Sequence, residues 1–402
     1  MNIKTWHPEQ SWQQQKNISQ QPAYPDMTKL EHVVHTLKNK LPLVGVPEIQ
    51  HLIDLIAQAQ KGYAFLFQAG DCAENFEEAT EAALHPKLCL LKDLHARLAG
   101  HGMRKIFCVG RLAGQYAKPR TEDQETQNGL TLPVYRGDLI NDIAFTEAGR
   151  TPDPERMLKG YHAAARTLAI MNTWSDSSQS KPSDRIFTSH EALLLPYEAA
   201  LTHYDTTHQT YFNLGTHFPW VGLRTTHLNS PHLEYIKGIA NPVALKIGPS
   251  MTAEHLLNII EQINPDNTWG RLTLIHRMGN TQINACLPPL IDAVKGAQAR
   301  VLWCCDPMHG NTVYTATQIK TRQIESIINE LTAAVEIYRK TETILGGLHL
   351  ELTPEAVTEC IGGQMQLTEI DLEKAYKTRV DPRLNAAQSV EVLDAFCLQY
   401  QR

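Results

Sequence analysis

The chain has 402 residues, of which 42% are hydrophobic, and its formal net charge at pH 7 is −6. This balance is typical of a globular protein with a large core, and it excludes a general attraction to nucleic acid or to anionic membranes. No apolar run is long enough to span a bilayer, and the opening residues MNIKTWHPEQSWQQQ lack the features of a secretory signal. The eight cysteines show no C-x-x-C spacing, which favours reduced thiols and a cytoplasmic location.

Two helices are expected near the start of the chain, around 28–39 and 47–61. They follow a lead that is rich in Gln and Pro and that gives no strand pattern. We therefore assign residues 1–60 to an N-terminal extension and residues 61–402 to one catalytic domain.

After the extension, short apolar segments rich in β-branched residues alternate with helical patterns. Apolar residues recur at spacings of three and four in 251–263, 282–297 and 323–340, as expected for helices that pack one face on a sheet. Repeated units of a strand followed by a helix predict an α/β fold, a closed (β/α)8 TIM barrel. The eight predicted strands are 63–71, 105–111, 185–191, 218–225, 242–250, 272–279, 301–309 and 344–351.

The segment between predicted strands two and three is longer than a minimal barrel requires. A short hairpin is expected near 131–138 and a helix near 155–172. Residues 172–184 read as a polar loop by composition. The sequence therefore predicts an insertion after strand two.

Charged or metal-binding side chains follow or end every predicted strand. In a parallel barrel these ends meet at one mouth, which is where active sites of this fold lie. The residues are Asp71 and Cys72, Arg111, His190 and Glu191, Arg224, Lys246, Arg277, His309 and Glu351.

Four residues of this mouth suggest a metal site. Cys72, His309 and Glu351 end strands one, seven and eight, which are neighbours in a closed barrel, and Asp381 follows strand eight closely. This set suits a divalent transition ion such as Mn, Co, Fe or Zn, with a position open for substrate. The alternative is a buried cysteine, a hydrogen-bonded histidine and two surface carboxylates.

Basic residues also gather at the predicted mouth, and guanidinium or ammonium groups suit phosphate and carboxylate oxygens. In KPRT (118–121) a proline stiffens a turn that carries two cations and a hydroxyl, which suits a terminal phosphate. The alternative is a solvated ring of surface charges. The cations are Arg111, Lys118, Arg120, Arg224, Lys246 and Arg277.

The chain resembles the type II 3-deoxy-D-arabino-heptulosonate 7-phosphate (DAHP) synthases from about Ala64 to Asn385, with the matching motifs in the same order. It is most similar to the compact members found beside secondary-metabolite, phenazine-type gene clusters. The matching strings are QAGDCAE, GRLAGQYAKPR, SHEALLLPYE, WVGLRT, KIGPS, LTLIHRMGN, DPMHGNT, GGLHLELTPEAVTEC and DPRLN.

The resemblance implies a (β/α)8 enzyme that condenses phosphoenolpyruvate with erythrose 4-phosphate in the first step of the shikimate route. It implies a divalent metal, with Mn²⁺ or Co²⁺ favoured and Zn²⁺, Fe²⁺ or Cd²⁺ as alternatives. By motif match the metal ligands are Cys72, His309, Glu351 and Asp381. Phosphoenolpyruvate would contact Arg111, Leu223, Arg224, Lys246 and Arg277, and the aldose phosphate Lys118, Pro119, Arg120 and Thr121.

Catalytic roles are implied for Lys246 in proton transfer and for the ligands Cys72, His309 and Glu351. Asp306 is expected either to accept a hydrogen bond from the His309 ring or to cap the turn. The expected partners are the two substrates and further copies of the chain, as a dimer or tetramer, without nucleic acid or membrane.

Leu223 stands where the resembled family usually has an acidic residue, and Thr226 and His227 replace its usual Arg and Gln. Two alternatives therefore stay open. One is a synthase that uses an amino analogue of the aldose phosphate, and the other is a regulatory homologue that has lost catalysis.

Overall fold

Eight parallel strands close into a barrel in this computed structural model, which describes residues 6–16, 18–103, 105–177 and 185–401. Every barrel strand is buried along its whole length, as is usual where helices cover the outside of a parallel sheet. In chain order the strands are β1 Phe65–Gly70, β2 Ile106–Arg111, β3 Gln124–Gln127, β4 Leu130–Pro133, β5 Ile186–Glu191, β6 Thr202–Asp205, β7 Thr210–Asn213, β8 Phe218–Val221, β9 Val243–Ile247, β10 Leu272–His276, β11 Val301–Cys305, β12 Thr312–Tyr314, β13 Lys320–Arg322 and β14 Leu345–Glu351.

The strand order around the barrel is β1-β2-β5-β8-β9-β10-β11-β14, and β14 pairs in parallel with β1. The remaining strands form three antiparallel hairpins, β3–β4, β6–β7 and β12–β13. The predicted (β/α)8 barrel is confirmed. Several predicted strands were too long, because β8, β10 and β11 end three or four residues early.

Helix α2 covers the amino-terminal end of the barrel. Its residues Leu52, Leu55 and Ile56 share one apolar cluster with barrel-lining side chains such as Phe107 and Phe218. The helices expected at the start of the chain are confirmed as α1 and α2. The helices are α1 Met27–Lys38, α2 Val46–Gln60, α3 Glu81–Gly100, α4 Glu147–Arg150, α5 Glu155–Ser177, α6 Leu195–Ala200, α7 Pro231–Lys237, α8 Ala253–Ile263, α9 Ile283–Gly296, α10 Ile324–Lys340 and α11 Ala386–Tyr400.

The insertion after β2 is confirmed, but two of its predicted bounds were wrong. The hairpin β3–β4 turns at Asn128 and Gly129, which both have positive φ, so only its second strand reaches the segment 131–138 expected to hold it. Helix α5 continues to Ser177, so the polar loop predicted over 172–184 does not begin at residue 172. The rest of that predicted loop, 178–184, lies outside the described residues.

Among the described residues, no helix is both long enough and apolar enough to cross a membrane. All eight cysteines lie in the described part of the chain and are free thiols, as the sequence predicts. Six of them are buried, so they belong to the packed interior rather than to a disulfide framework.

Candidate active site

Four candidate metal ligands converge at the carboxyl-terminal mouth of the barrel. Cys72 follows β1 and Glu351 ends β14, and these strands pair so that Gly70 lies opposite Glu351. Cys72 Sγ lies 3.8 Å from Asp381 Oδ2 and accepts the backbone N–H of Asp381. His309 Nε2 lies 3.1 Å from Glu351 Oε1. Thiol, imidazole and carboxylate groups brought together in this way fit a divalent transition ion.

The two carboxylates are not surface groups. Glu351 is fully buried and Asp381 is partly buried, which contradicts the alternative interpretation of both as surface charges. Glu351 accepts hydrogen bonds from Arg111 and Arg322, each at 2.9 Å. Burial alone would raise the pKa of Glu351, but His309 and the nearby cations hold it well below its usual range. Glu351 is therefore an anionic candidate ligand at neutral pH.

Two lysines face the same ligands from different loops. Lys118 Nζ lies 3.4 Å from Glu351 Oε1 and 3.7 Å from Asp381 Oδ2, and Lys320 Nζ lies 3.2 Å from Asp381 Oδ1. Burial raises the pKa of the Cys72 thiol to about 12, although Lys118 opposes the shift. A transition ion binds the thiolate, so metal binding here would release a proton.

Asp306 fixes the imidazole of His309. Asp306 Oδ2 lies 2.7 Å from His309 Nδ1, and because a carboxylate accepts, we assign the ring N–H to Nδ1. This tautomer leaves Nε2, on the Glu351 side, unprotonated and available to bind a metal. Asp306 Oδ1 accepts the backbone N–H groups of Met308 and His309 at 3.0 and 3.2 Å. Asp306 therefore fills both expected roles, because Oδ2 accepts from the His309 ring and Oδ1 caps the turn.

The loops after β10 and β11 meet backbone to backbone. A Cβ on Gly310 would lie 2.4 Å from Gly279 N, and Gly279 has a φ of +82°, which favours glycine at both positions. Arg277 donates across this contact to the carbonyl oxygen of His309. Glu330 of α10 accepts the N–H of Gly279 at 2.9 Å. The positions of Arg277 and His309 are therefore coupled.

A cavity of about 410 Å³ opens at this mouth, and basic side chains dominate its wall. Because the whole chain carries a net charge of −6, the positive potential is local to the cavity. The predicted site residues that line the cavity are Arg111, Lys118, Pro119, Leu223, Arg224, Lys246, Arg277, His309 and Asp381.

The other predicted site residues lie beside the wall. Cys72 and Glu351 are buried against wall residues, as described above. Arg120 is partly exposed and Thr121 is exposed, and neither lines the cavity. Thr121 accepts a hydrogen bond from Arg224 at 2.8 Å, so the predicted phosphate turn borders the cavity.

Lys246, inside β9, is buried at the centre of the polar network. Its Nζ donates to Asp306 Oδ2 at 2.8 Å and lies 3.2 Å from His349 Nε2. Burial, together with the charge of Arg111, lowers the pKa of Lys246, although Asp306 acts in the opposite direction. A lysine with a lowered pKa exchanges protons more readily near neutral pH.

Arg111, the last residue of β2, is held by groups from several strands. It donates to the carbonyl oxygens of Asp71 and Cys72 at 2.8 and 2.9 Å. Its Nη1 lies 2.6 Å from His349 Nε2, and its guanidinium lies 5.1 Å from the centre of the Trp220 ring. The orientation of this guanidinium is therefore set by the protein.

Sequence reasoning did not assign several residues of the site. His349 had a signal, because it stands two residues before Glu351 and must share its face of β14. Lys320 and Arg322 had none, since they lie on the unpredicted hairpin β12–β13. Glu191 was expected at the mouth but given no role. The residues missed are Trp220, Gly222, Thr312, Tyr314, Lys320, Arg322 and His349.

Glu191, the last residue of β5, lines the cavity with a buried carboxyl group. Its Oε1 has no hydrogen-bond partner among the described residues. Burial raises the pKa of Glu191, although Lys118 and Lys246 oppose the shift. An unpaired buried oxygen is costly, and this one lies against Gly222, where an added Cβ would stand 2.1 Å from it, rather than open to the cavity.

Comparisons with known proteins agree with this geometry. Residues 6–183 and 171–398 match the model of the Class-II DAHP synthetase family. A phospho-2-dehydro-3-deoxyheptonate aldolase of Streptomyces coelicolor is 39% identical, with 93% of each chain covered. One of Neurospora crassa is 36% identical, covering 97% of this chain and 93% of the relative.

A solved structure shares the fold. The phospho-2-dehydro-3-deoxyheptonate aldolase from Francisella tularensis SCHU S4 aligns with a TM-score of 0.56 over 96% of this chain and 99% of its own, at 15% identity. That likeness supports the barrel alone. From the family match and the two relatives with identities of 39% and 36%, we conclude that the chain belongs to the Class-II DAHP synthetase family.

Proposed function

We propose that this protein condenses phosphoenolpyruvate with D-erythrose 4-phosphate and water to give DAHP and inorganic phosphate, the first step of the shikimate pathway. The observation that carries this proposal is the meeting of a Cys, His, Glu and Asp set with a cation-lined cavity at one barrel mouth. The names of the Streptomyces and Neurospora relatives agree with it.

Cys72, His309, Glu351 and Asp381 would hold the metal, with Mn²⁺ or Co²⁺ proposed and Zn²⁺, Fe²⁺ or Cd²⁺ as alternatives. The bound cation would act as a Lewis acid that polarises the aldehyde of the sugar phosphate. Asp306 serves this set by fixing the His309 tautomer.

Cations of the cavity wall would hold the phosphate and carboxylate of phosphoenolpyruvate, and Leu223 supplies an apolar part of the wall. The anion ligands proposed are Arg111, Arg224, Lys246 and Arg277. The aldose phosphate would be held by the turn of Lys118, Pro119, Arg120 and Thr121.

Lys246 would supply the proton that the aldehyde oxygen needs when carbon 3 of phosphoenolpyruvate attacks the aldehyde carbon. Water then adds at carbon 2, and the carboxylate of Glu191, a residue of the cavity wall, would accept its proton. Phosphate leaves as its bond to carbon 2 breaks and the ketone forms. The surrounding arginines neutralise the substrate anions during these steps.

The test is phosphate release and formation of the seven-carbon product by chelator-treated protein, with and without Mn²⁺ or Co²⁺. We expect turnover only with metal, and loss of turnover in Cys72→Ser but not in Cys286→Ser, a cysteine that does not line the cavity. Turnover that resists chelation would contradict the metal assignment. Turnover with the amino analogue alone would replace the proposed aldose, and metal binding without any turnover would favour a regulatory homologue.

We also propose a cytoplasmic location and a homo-oligomer, either a dimer or a tetramer. Support for the location is the absence of C-x-x-C spacing and of disulfide bonds among the described residues. Light scattering of the purified protein would measure the oligomeric state.

A further inference from the structure

The segment before α1 reaches the loops of the barrel mouth through two consecutive glutamines. The side-chain amide of Gln20 donates to the carbonyl oxygen of Arg120 at 3.0 Å and accepts the N–H of Arg120 at 3.0 Å. Gln21 makes the equivalent pair with the loop after β5, donating to Leu193 O at 2.7 Å and accepting Leu195 N–H at 3.1 Å. The N-terminal segment thus connects the KPRT turn with the loop that follows β5.

The contacts of Gln20 form a closed ring around the KPRT turn. Gln20 Oε1 also accepts from the guanidinium of Arg136 at 2.8 Å. The carbonyl oxygen of Arg136 in turn accepts the backbone N–H of Lys118 at 2.9 Å. One amide side chain therefore connects the backbone at Arg120 with the residue that anchors the backbone at Lys118.

Lys118 is also fixed through its side chain, but few other contacts fix the turn at Arg120. No other described residue hydrogen-bonds to the backbone of Arg120. Thr121 is exposed and is reached from across the cavity by Arg224, itself an exposed side chain. Gln20 itself has a φ of +60°, a conformation that residues other than glycine rarely adopt and that the surrounding contacts must sustain.

We propose that Gln20 is a positioning residue for the aldose-phosphate subsite, an inference that rests on the proposed function. It holds the backbone of the Lys118–Thr121 turn, which borders the cavity and would bind the aldose phosphate. A small displacement of a binding group strongly weakens an oriented contact. Gln20 therefore affects the affinity for the aldose phosphate, although it would not contact that substrate itself.

The test compares the wild-type protein with Gln20→Ala, using Gln14→Ala, an exposed glutamine of the same segment, as the matched control. We expect Gln20→Ala to raise the dissociation constant and the KM for erythrose 4-phosphate about tenfold, as loss of a paired hydrogen bond predicts. The KM for phosphoenolpyruvate should stay within about twofold, and Gln14→Ala should match the wild type. Gln20→Glu, which keeps the acceptor but loses the donor, serves if the alanine variant folds poorly.

Hydrogen exchange at the Arg120 amide supplies a readout that needs no turnover. Faster exchange in Gln20→Ala, with weaker binding of erythrose 4-phosphate by calorimetry, would support the inference even if the wild type formed no seven-carbon product. Absence of the seven-carbon product from the wild type would count against the proposed function but not against the role of Gln20. Unchanged exchange, or equal weakening of both substrates, would overturn the role of Gln20.

Discussion

Asp306 accepts hydrogen bonds from His309 with both carboxylate oxygens. One accepts the ring N–H at 2.7 Å, and the other accepts the backbone N–H at 3.2 Å. Asp306 directly follows β11, so the residue that begins this loop also orients the imidazole. A change at Asp306 alters both the tautomer of His309 and the path of the turn that carries it.

The first prediction is that Asp306→Asn lowers metal affinity by about 10- to 100-fold, the usual effect of losing an orienting partner of a metal-binding histidine. The amide keeps the size of the side chain but removes the charge that faces Lys246. Competition with a fluorescent chelator would measure the affinity. Asp292→Asn, an exposed change on α9, is the control, and equal affinities for the two variants would contradict the assignment.

The second prediction concerns Arg111, whose donors reach two carbonyl oxygens, Glu351 and His349. Lysine offers one nitrogen in place of this fork, so Arg111→Lys should lower kcat/KM for phosphoenolpyruvate by about 100-fold or more, since each charge-assisted bond is worth roughly 1.5–3 kcal/mol. Steady-state kinetics would measure it, with the exposed Arg339→Lys as control. A change within threefold would refute the role.

The third prediction compares neighbours on the loop after β8. Leu223 lies beside Gly248, where an added Cβ would stand 3.0 Å from Leu223 Cδ2, so its contribution is packing. Leu223→Ala should change the KM for phosphoenolpyruvate by less than about threefold, whereas Arg224→Ala should raise it roughly tenfold through loss of a solvent-screened cation. Similar effects of both changes would show that Leu223 does more than fill space.

The fourth prediction is a pH dependence of stability from His276, which is fully buried with neither ring nitrogen hydrogen-bonded to a described residue. Burial lowers the pKa of His276 to about 3, so the unfolded chain takes up the proton first as pH falls below 6.5. The stabilisation is complete above pH 6.5 and declines as pH falls toward 3.

From pH 7 to pH 5 this one residue should lower the free energy of unfolding by about 2 kcal/mol. His276→Leu removes the titration, so the difference in unfolding free energy between wild type and variant should shift by that amount over the same range. Urea unfolding at both pH values would measure the shift. A constant difference would show that His276 does not titrate on unfolding.

The sequence predicted the barrel because strand and helix periods alternate, and it located Arg111 and Glu351 because strand ends share one mouth. It extended strands through Met278 and Met308, since a buried loop residue has the same apolar signature as a buried strand residue. The hairpin turn was missed although Asn128 and Gly129 are the residues that such a turn prefers. The contacts of Lys320 depend on how the hairpin β12–β13 packs over the barrel mouth, and local sequence patterns do not predict such packing.

Cys72 and Asp381 are separated by 309 positions in the chain, yet the backbone of one donates to the sulfur of the other. Their meeting requires that β14 has already closed the ring against β1. During synthesis the N-terminal part of the chain emerges first. Cys72, His309 and Glu351 are therefore made before Asp381, the last of the four candidate ligands. Under the proposed assignment, a complete ligand set for the metal therefore forms only after β14 has closed the barrel against β1.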